Sequence, residues 1–321
     1  ARCARSRLPS PASHESMMKH AIKIVGCLLL CAAAAVRAQD FGDTPYVQTP
    51  QNVVDKMLEV AHVTASDFVI DLGSGDGRMV ITAAKRYGAR GFGVDLDKRL
   101  VALSNRRAAQ AGVADRAKFY AQDLYETDLS PASVVTIYLL PEVNLMVRPK
   151  LLATLKPGTR IVSHDYDMGE WLPEMSFTMD APNKPVGRDK KSKVFYWVVP
   201  ASVAGKWRWR LDSGGAAQDC AIELRQNFQK IEGSLIAGAT RVPLQDAQLT
   251  GDRIRFSATV TAGGKPVRYT YSGRVINNAV EGEVEIAGDA GTTKAAWNAA
   301  RTEVWEPDHV TAPPPTLQPV N

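Results

Sequence analysis

Cysteine is scarce. The 321 residues hold four, and Cys3, Cys27 and Cys31 fall within the first 38. Beyond them only Cys220 remains, which excludes an internal disulfide framework and a cysteine-clustered metal site in that part of the chain. Long apolar runs are missing as well. The longest, from Ile24 through Val36, falls short of the ~20 residues a spanning helix needs. A multi-span membrane protein is therefore excluded. A surplus of charge is absent from most of the chain too. The net charge is +5, but six basic residues (Arg2, Arg5, Arg7, Lys19, Lys23, Arg37) against Glu15 put all of it in residues 1–38. The remainder is neutral overall, so net charge gives no support to nucleic acid as a partner, and none is expected. No internal repeat is evident.

Residues 1–38 read as a targeting segment. Met17 and Met18 offer starts, Lys19 and Lys23 precede the apolar run, and Val36-Arg37-Ala38 supplies small residues before Gln39. This basic, apolar, small-residue order is that of a signal peptide. Left uncleaved, it would be an N-terminal anchor and the chain's one link to a membrane. Either way the flanking lysines direct the rest of the chain across, to a periplasmic or secreted location.

Residues 39–200 alternate short apolar runs with helical patterns. Strands are expected at 69–72, 91–95, 118–121, 134–139 and 159–163. Helices are expected from Thr49 as N-cap with Pro50 in the first position, at 78–87, at 98–111, and at about 142–155. Gly88 and Gly112 end two of these, as a left-handed residue past a helix end prefers. The alternation predicts an α/β fold with a mostly parallel sheet covered on both faces. Residues 201–305 alternate polar and apolar positions instead, as in Lys206–Leu211, Arg253–Ser257 and Arg268–Ser272, with glycine turns between. A small antiparallel β domain, sheet or barrel, is expected there. Residues 306–321, with Pro313-Pro314-Pro315, read as an extended tail.

The densest signal is Asp71-Leu72-Gly73-Ser74-Gly75-Asp76-Gly77-Arg78, after a strand and opening a helix. Glycines there let the backbone turn tightly and approach a ligand. A dinucleotide fingerprint counted from Gly73 would need glycine where Arg78 stands, and no Gly-Lys-Ser/Thr follows for a P-loop. The glycines are spaced two and two behind an acid. This arrangement resembles the first motif of the class I, seven-β-strand S-adenosylmethionine-dependent methyltransferases, over about residues 44–200. The resemblance implies a Rossmann-like seven-stranded sheet and S-adenosylmethionine as cofactor. It also implies Asp71 on the methionine part, Asp95 on the ribose hydroxyls and Asp123 near the adenine amino group. Singly, Asp71 could cap a turn, Asp95 could serve a helix N-terminus, and Asp123 could be a loop acid.

Pro45-Tyr46-Val47-Gln48-Thr49-Pro50, Tyr138-Leu139-Leu140-Pro141 and Arg160-Ile161-Val162-Ser163 narrow the resemblance. They look like the seven-strand protein lysine methyltransferases. That group includes the mitochondrial enzyme acting on the ATP synthase c-ring protein and, more distantly, the non-SET histone enzyme. It implies Tyr46 and Thr49 beside the cofactor and a protein lysine as methyl acceptor. Where the histone enzyme has an Asn-rich fourth-strand end, this chain has Thr136-Ile137-Tyr138-Leu139.

A lysine must be neutral to attack, and an aromatic cleft would orient it. Tyr138, His164, Asp165, Tyr166 and Trp171 gather at the expected ends of the fourth and fifth strands, with His164 or Asp165 as proton acceptor. No metal is expected. A small-molecule acceptor, and an exported binding protein that has lost catalysis, are the competing readings. Trp207, Trp209, Tyr269 and Tyr271 read as the core of the second region.

Overall fold

The computed structural model describes residues 46–213, 216–289 and 291–311. The targeting segment expected at 1–38 and the proline run at 313–315 lie outside the described residues. Among the described residues, no helix is long and apolar enough to cross a membrane.

The first sheet is built from β1 (Phe68–Leu72), β2 (Arg90–Asp95), β3 (Ala117–Ala121), β4 (Val134–Ile137), β5 (Arg160–His164), β6 (Met175–Asp180) and β7 (Lys191–Val198). Its order is β3-β2-β1-β4-β5-β7-β6. Strands β1 to β5 run parallel, and β7 is antiparallel to both β5 and β6. Parallel strands buried on both faces must be apolar nearly throughout. Val134–Ile137 is buried at every position, and Phe68–Leu72 at all but the first.

Helix α1 (Gln51–Val60) precedes β1, and three helices connect strands: α2 (Arg78–Tyr87), α3 (Lys98–Gln110) and α4 (Pro141–Thr154). Each turns an apolar stripe to the sheet, such as Val53, Val54, Met57 and Leu58 on α1. Gly88, with φ +74°, closes α2 in the left-handed conformation its position requires. The chain works outward from β1 to β3, then crosses back to β4. The β1–β4 boundary is therefore the switch point, where a crevice opens beyond the strand ends.

Two local expectations need correction. The first helix begins a residue later than expected. Pro50 caps it, and its carbonyl accepts the N–H groups of Val53 and Val54 at 2.9 and 3.0 Å. This frees the Thr49 side chain for a partner elsewhere. The fourth strand ends at Ile137 rather than Leu139, so Tyr138 stands in the loop above the sheet.

The second sheet has nine antiparallel strands in the order β11-β10-β9-β8-β16-β15-β14-β13-β12. They are β8 (Gly205–Ser213), β9 (Ala216–Asn227), β10 (Lys230–Ala237), β11 (Thr240–Pro243), β12 (Gln245–Thr250), β13 (Arg253–Ala262), β14 (Lys265–Ile276), β15 (Ala279–Gly288) and β16 (Gly291–Val304). Alternate residues face inward and form one cluster that includes Trp207, Trp209, Phe256, Tyr271 and Trp297. The sheet curls until β10 and β11 approach β12 and β13, giving a barrel.

The described residues from Val47 onward form one compact unit containing both sheets. Phe228, at the β9–β10 turn, leaves the barrel and joins the first sheet's core. It stacks on Trp171 with ring centroids 5.9 Å apart. The tail does not begin extended as expected: a short α5 (Asp308–Thr311) follows the barrel and is held by His309, which stacks on Phe228 at 4.3 Å between centroids.

Candidate functional site

The glycine-rich segment leaves β1 at the switch point. Gly73, Gly75 and Gly77 have φ of +74°, +52° and +79°, a region that costs other L-residues roughly 1–2 kcal/mol each. Space adds to the constraint. A Cβ at Gly73 would stand 2.5 Å from Leu139 Cδ2, and one at Gly77 would stand 2.7 Å from Phe119 Cζ. The turn folds back on β2, where the N–H groups of Gly73 and Ser74 both donate to the Val94 carbonyl, at 3.0 and 2.9 Å.

Asp95, the last residue of β2, holds this turn. Its Oδ2 accepts the Gly75 N–H and its Oδ1 the Asp97 N–H, both at 2.9 Å. Each oxygen keeps a further acceptor site in a carboxylate whose direction is fixed. Asp71 lies opposite Thr136 in the β1–β4 register, and the Thr136 hydroxyl donates to its Oδ1 at 2.6 Å. Burial, reinforced by the Asp95 and Asp76 charges, pushes the Asp71 carboxyl up to about 7. Asp123 stands after β3, half-buried, accepting the Tyr125 N–H at 2.8 Å. Tyr46 is the first described residue and is exposed.

The sequence reading overlooked the brace behind the turn. Asp76 is 1% exposed and sits between two arginines. Arg78 Nε donates to its Oδ1 at 2.8 Å, and Arg107 from α3 pairs with Oδ2. Arg78 also donates to the Thr49 carbonyl at 2.6 Å, tying the turn to the segment before α1. The Ser104 hydroxyl completes the brace at the Gly75 carbonyl, 2.9 Å. An acid within a glycine run hinted at this role, but nothing local pointed to Arg107, 31 residues away.

Tyr138, His164 and Asp165 come together at the ends of β4 and β5. The Tyr138 and His164 rings are 4.0 Å apart, and Tyr166 stacks at 6.4 Å on Tyr138. Tyr138 Oη lies 3.5 Å from Asp165 Oδ2, and burial, then the Asp165 charge, drives the phenol above its usual range. His164 is fully buried. Thr49 Oγ1 meets its Nδ1 at 3.1 Å and Ser192 Oγ its Nε2 at 2.8 Å. Burial holds the imidazole below its ordinary pKa, hence neutral at pH 7. With both nitrogens occupied inside the protein, His164 is a brace and not a proton acceptor. Thr49 likewise reaches His164.

Asp165 is the reactive-looking member. It adopts φ +63°, and its Oδ1 accepts the Lys193 N–H at 3.0 Å. Its Oδ2 binds the ammonium of Lys184 at 2.7 Å, from the β6–β7 loop. Lys184 is 9% exposed and also donates to the Lys191 carbonyl at 2.7 Å, so this edge already hosts a nearly buried lysine head group between a carboxylate and a backbone carbonyl. Trp171 does not join that cleft. It is fully buried against Trp197 and Phe228 and belongs to the core.

S-adenosylmethionine is a cation with a diol, an amino group and a purine. The cradle suits it. Glycines leave room beside the backbone, Asp95 offers directed acceptors, and Asp71 is a buried carboxyl that a cation would relieve. Among the described residues neither Asp71 nor Asp95 is in an ion pair. Uncompensated acids at this turn would repel the pyrophosphate of a dinucleotide.

Sheet order, glycine turn and strand-end acids define a seven-stranded methyltransferase fold. Residues 71–175 match the ANTKMT methyltransferase domain. A protein-lysine N-methyltransferase of Saccharolobus islandicus is 44% identical over 131 residues, which cover 40% of this chain and 81% of that protein. The chain belongs to the protein-lysine N-methyltransferase family. The mouse adenine nucleotide translocase lysine N-methyltransferase is 34% identical over 130 residues, 40% of this chain and 56% of that enzyme. The chain thus spans little more than half of that relative. A solved RNA methyltransferase from Salinibacter ruber, in complex with S-adenosyl-L-homocysteine, is 47% identical. That match covers 49% of this chain and 96% of that one, at a TM-score of 0.44.

Proposed function

We propose that the chain transfers methyl groups from S-adenosylmethionine to lysine side chains of proteins. The observation that carries this reading is Asp165. At one strand edge it binds a lysine ammonium beside Tyr138, next to the glycine turn and the acids that suit a cationic cofactor. Asp95 would accept the ribose hydroxyls, Asp71 would face the amino group of the methionine part, and Asp123 would face the purine. When bound, the cofactor supplies an electrophilic methyl group on sulfur. The chain's own task is positioning and water exclusion. Tyr138 and Tyr166 would flank the head group, and Asp165 would displace Lys184 to draw in the acceptor's ammonium and then take the proton that Nζ must lose before it attacks.

The test is incubation of the full chain with methyl-labelled cofactor and extract proteins, followed by hydrolysis and amino-acid analysis. Label in methyllysine is expected. Label confined to small molecules, or none, overturns the reading.

The order of basic, apolar and small residues at 19–38 supports export across a membrane, with the leader cleaved or kept as an anchor. Cell fractionation with N-terminal sequencing checks this. Recovery from the cytosol with the leader intact overturns it.

A further inference from the structure

The segment that joins β6 to β7 is rich in positive charge. From Asp180 to Lys193 the chain holds Lys184, Arg188, Lys190, Lys191 and Lys193 against Asp180 and Asp189. All of these except Lys184 are exposed. Contacts within the segment neutralise little of the surplus. Lys191 meets Asp180 at 3.2 Å, and Lys190 Nζ donates to the Lys184 carbonyl at 2.6 Å. Among the described residues Arg188 and Lys193 form no ion pair. The surplus stands at the acceptor edge, because the Lys193 N–H is bound to Asp165.

Lys184 is the member that reaches inward. Its ammonium donates to Asp165 Oδ2 and to the Lys191 carbonyl, both at 2.7 Å. An incoming lysine can bind Asp165 only by taking that carboxylate from Lys184. A nearly buried ammonium stripped of its carboxylate has lost the group that offset its desolvation. The long, flexible lysine stem lets the head group swing outward while the backbone stays in place. There it joins a segment already crowded with cations, which repel it. A carboxylate on the acceptor, close to its lysine, removes both obstacles. It receives the displaced Lys184, so one ion pair is exchanged for two, and the exposed cations around it draw it in. A lysine among basic residues does the reverse, adding positive charge to a positive edge.

We propose that the β6–β7 segment selects acceptor lysines in an acidic context, with a glutamate or aspartate beside the methylated lysine as the partner that takes over Lys184. This substrate class rests on the lysine methyl transfer proposed above and narrows it.

Initial rates of the full chain on three synthetic peptides, measured as methyllysine formed, test it. Each peptide has a single central lysine, flanked on both sides by glutamate, by glutamine or by arginine. KM for the glutamate peptide should lie about tenfold below that for the glutamine peptide, the weight of two or three screened ion pairs. The arginine peptide should be the poorest acceptor, and added sodium chloride should narrow the spread. Arg188→Glu combined with Lys193→Glu, both on the exposed surface, should bring the glutamate and glutamine peptides to within about twofold. Lys184→Gln should lower KM for the glutamine peptide, since no ion pair then has to be broken before Asp165 is free. A merely structural Lys184 would not give that gain. Equal KM for the three peptides overturns the proposal and leaves lysine methyl transfer standing. So does a glutamate preference that survives both sets of substitutions, or methyllysine in extract proteins with none in any peptide. No methyllysine in either peptides or extract overturns the methyl-transfer reading itself, and the proposal with it.

Discussion

Asp71 concentrates the site's electrostatics in one side chain. Its carboxyl titrates near 7 in the folded protein against an ordinary value of 3.8. Between those limits the folded state holds a proton that the unfolded state has released, so stability falls as pH rises from about 4 through 7. The penalty is complete above 7 and absent below about 4. Asp71→Asn keeps an oxygen for the Thr136 hydroxyl and removes the charge. Its melting temperature should exceed the parent's at pH 8 by an amount worth about 1–3 kcal/mol, with the gap closing near pH 4. Cofactor affinity carries the opposite sign. A cationic amine binds the ionised carboxylate, so the parent should bind about fivefold more weakly at pH 6 than at pH 7 and about tenfold more weakly than at pH 8, and Asp71→Asn should flatten that slope. Calorimetry across this range reads both. On the acceptor side, Asp165→Asn retains the turn but loses the charge that binds an ammonium. It should raise KM for a protein acceptor about tenfold with little change in cofactor affinity, read from initial rates.

The glycine turn works as an element because residues from three others hold it. Asp76 is buried between Arg78 and Arg107, and Asp95 takes the Gly75 N–H. Asp76→Ala leaves the Arg78 and Arg107 guanidinium groups without their shared carboxylate and should cost about 3–5 kcal/mol in denaturant unfolding. Gly77→Ala combines a left-handed φ with a contact of 2.7 Å to Phe119, and should cost about 2–4 kcal/mol. The turn itself was legible from glycine spacing, and most helices and strands from apolar period, because both are local. Its supports were not. Thr49 and His164 meet across 115 positions, and no pattern near either residue encodes that contact. Tyr138 reads as strand by propensity, yet its ring stands in the loop against His164 because the β4 ladder stops at Ile137.

At the scale of the whole molecule the two sheets share a core. Phe228 belongs to the barrel by sequence and to the Trp171–Trp197 cluster by packing. Trp171 therefore reads as a cleft residue until the ring that covers it, 57 positions onward, is placed. Alternation made the antiparallel region legible, but the curl that brings β10 and β11 to β12 and β13 depends on bulges and pairings no single strand reveals. A shared core predicts one cooperative unfolding transition. Phe228→Ala should lower stability by about 3–5 kcal/mol and split the calorimetric melt into two transitions. A single unshifted transition would show that the stack contributes nothing.

The most direct measurement of the central claim is calorimetric titration of the full chain with S-adenosylmethionine, beside Asp95→Ala. The expected result is saturable binding at one per chain, weakened at least tenfold by the substitution, which removes the acceptors for the ribose hydroxyls. Absence of binding, or an affinity that Asp95→Ala leaves unchanged, would contradict the assignment of the cradle to this cofactor.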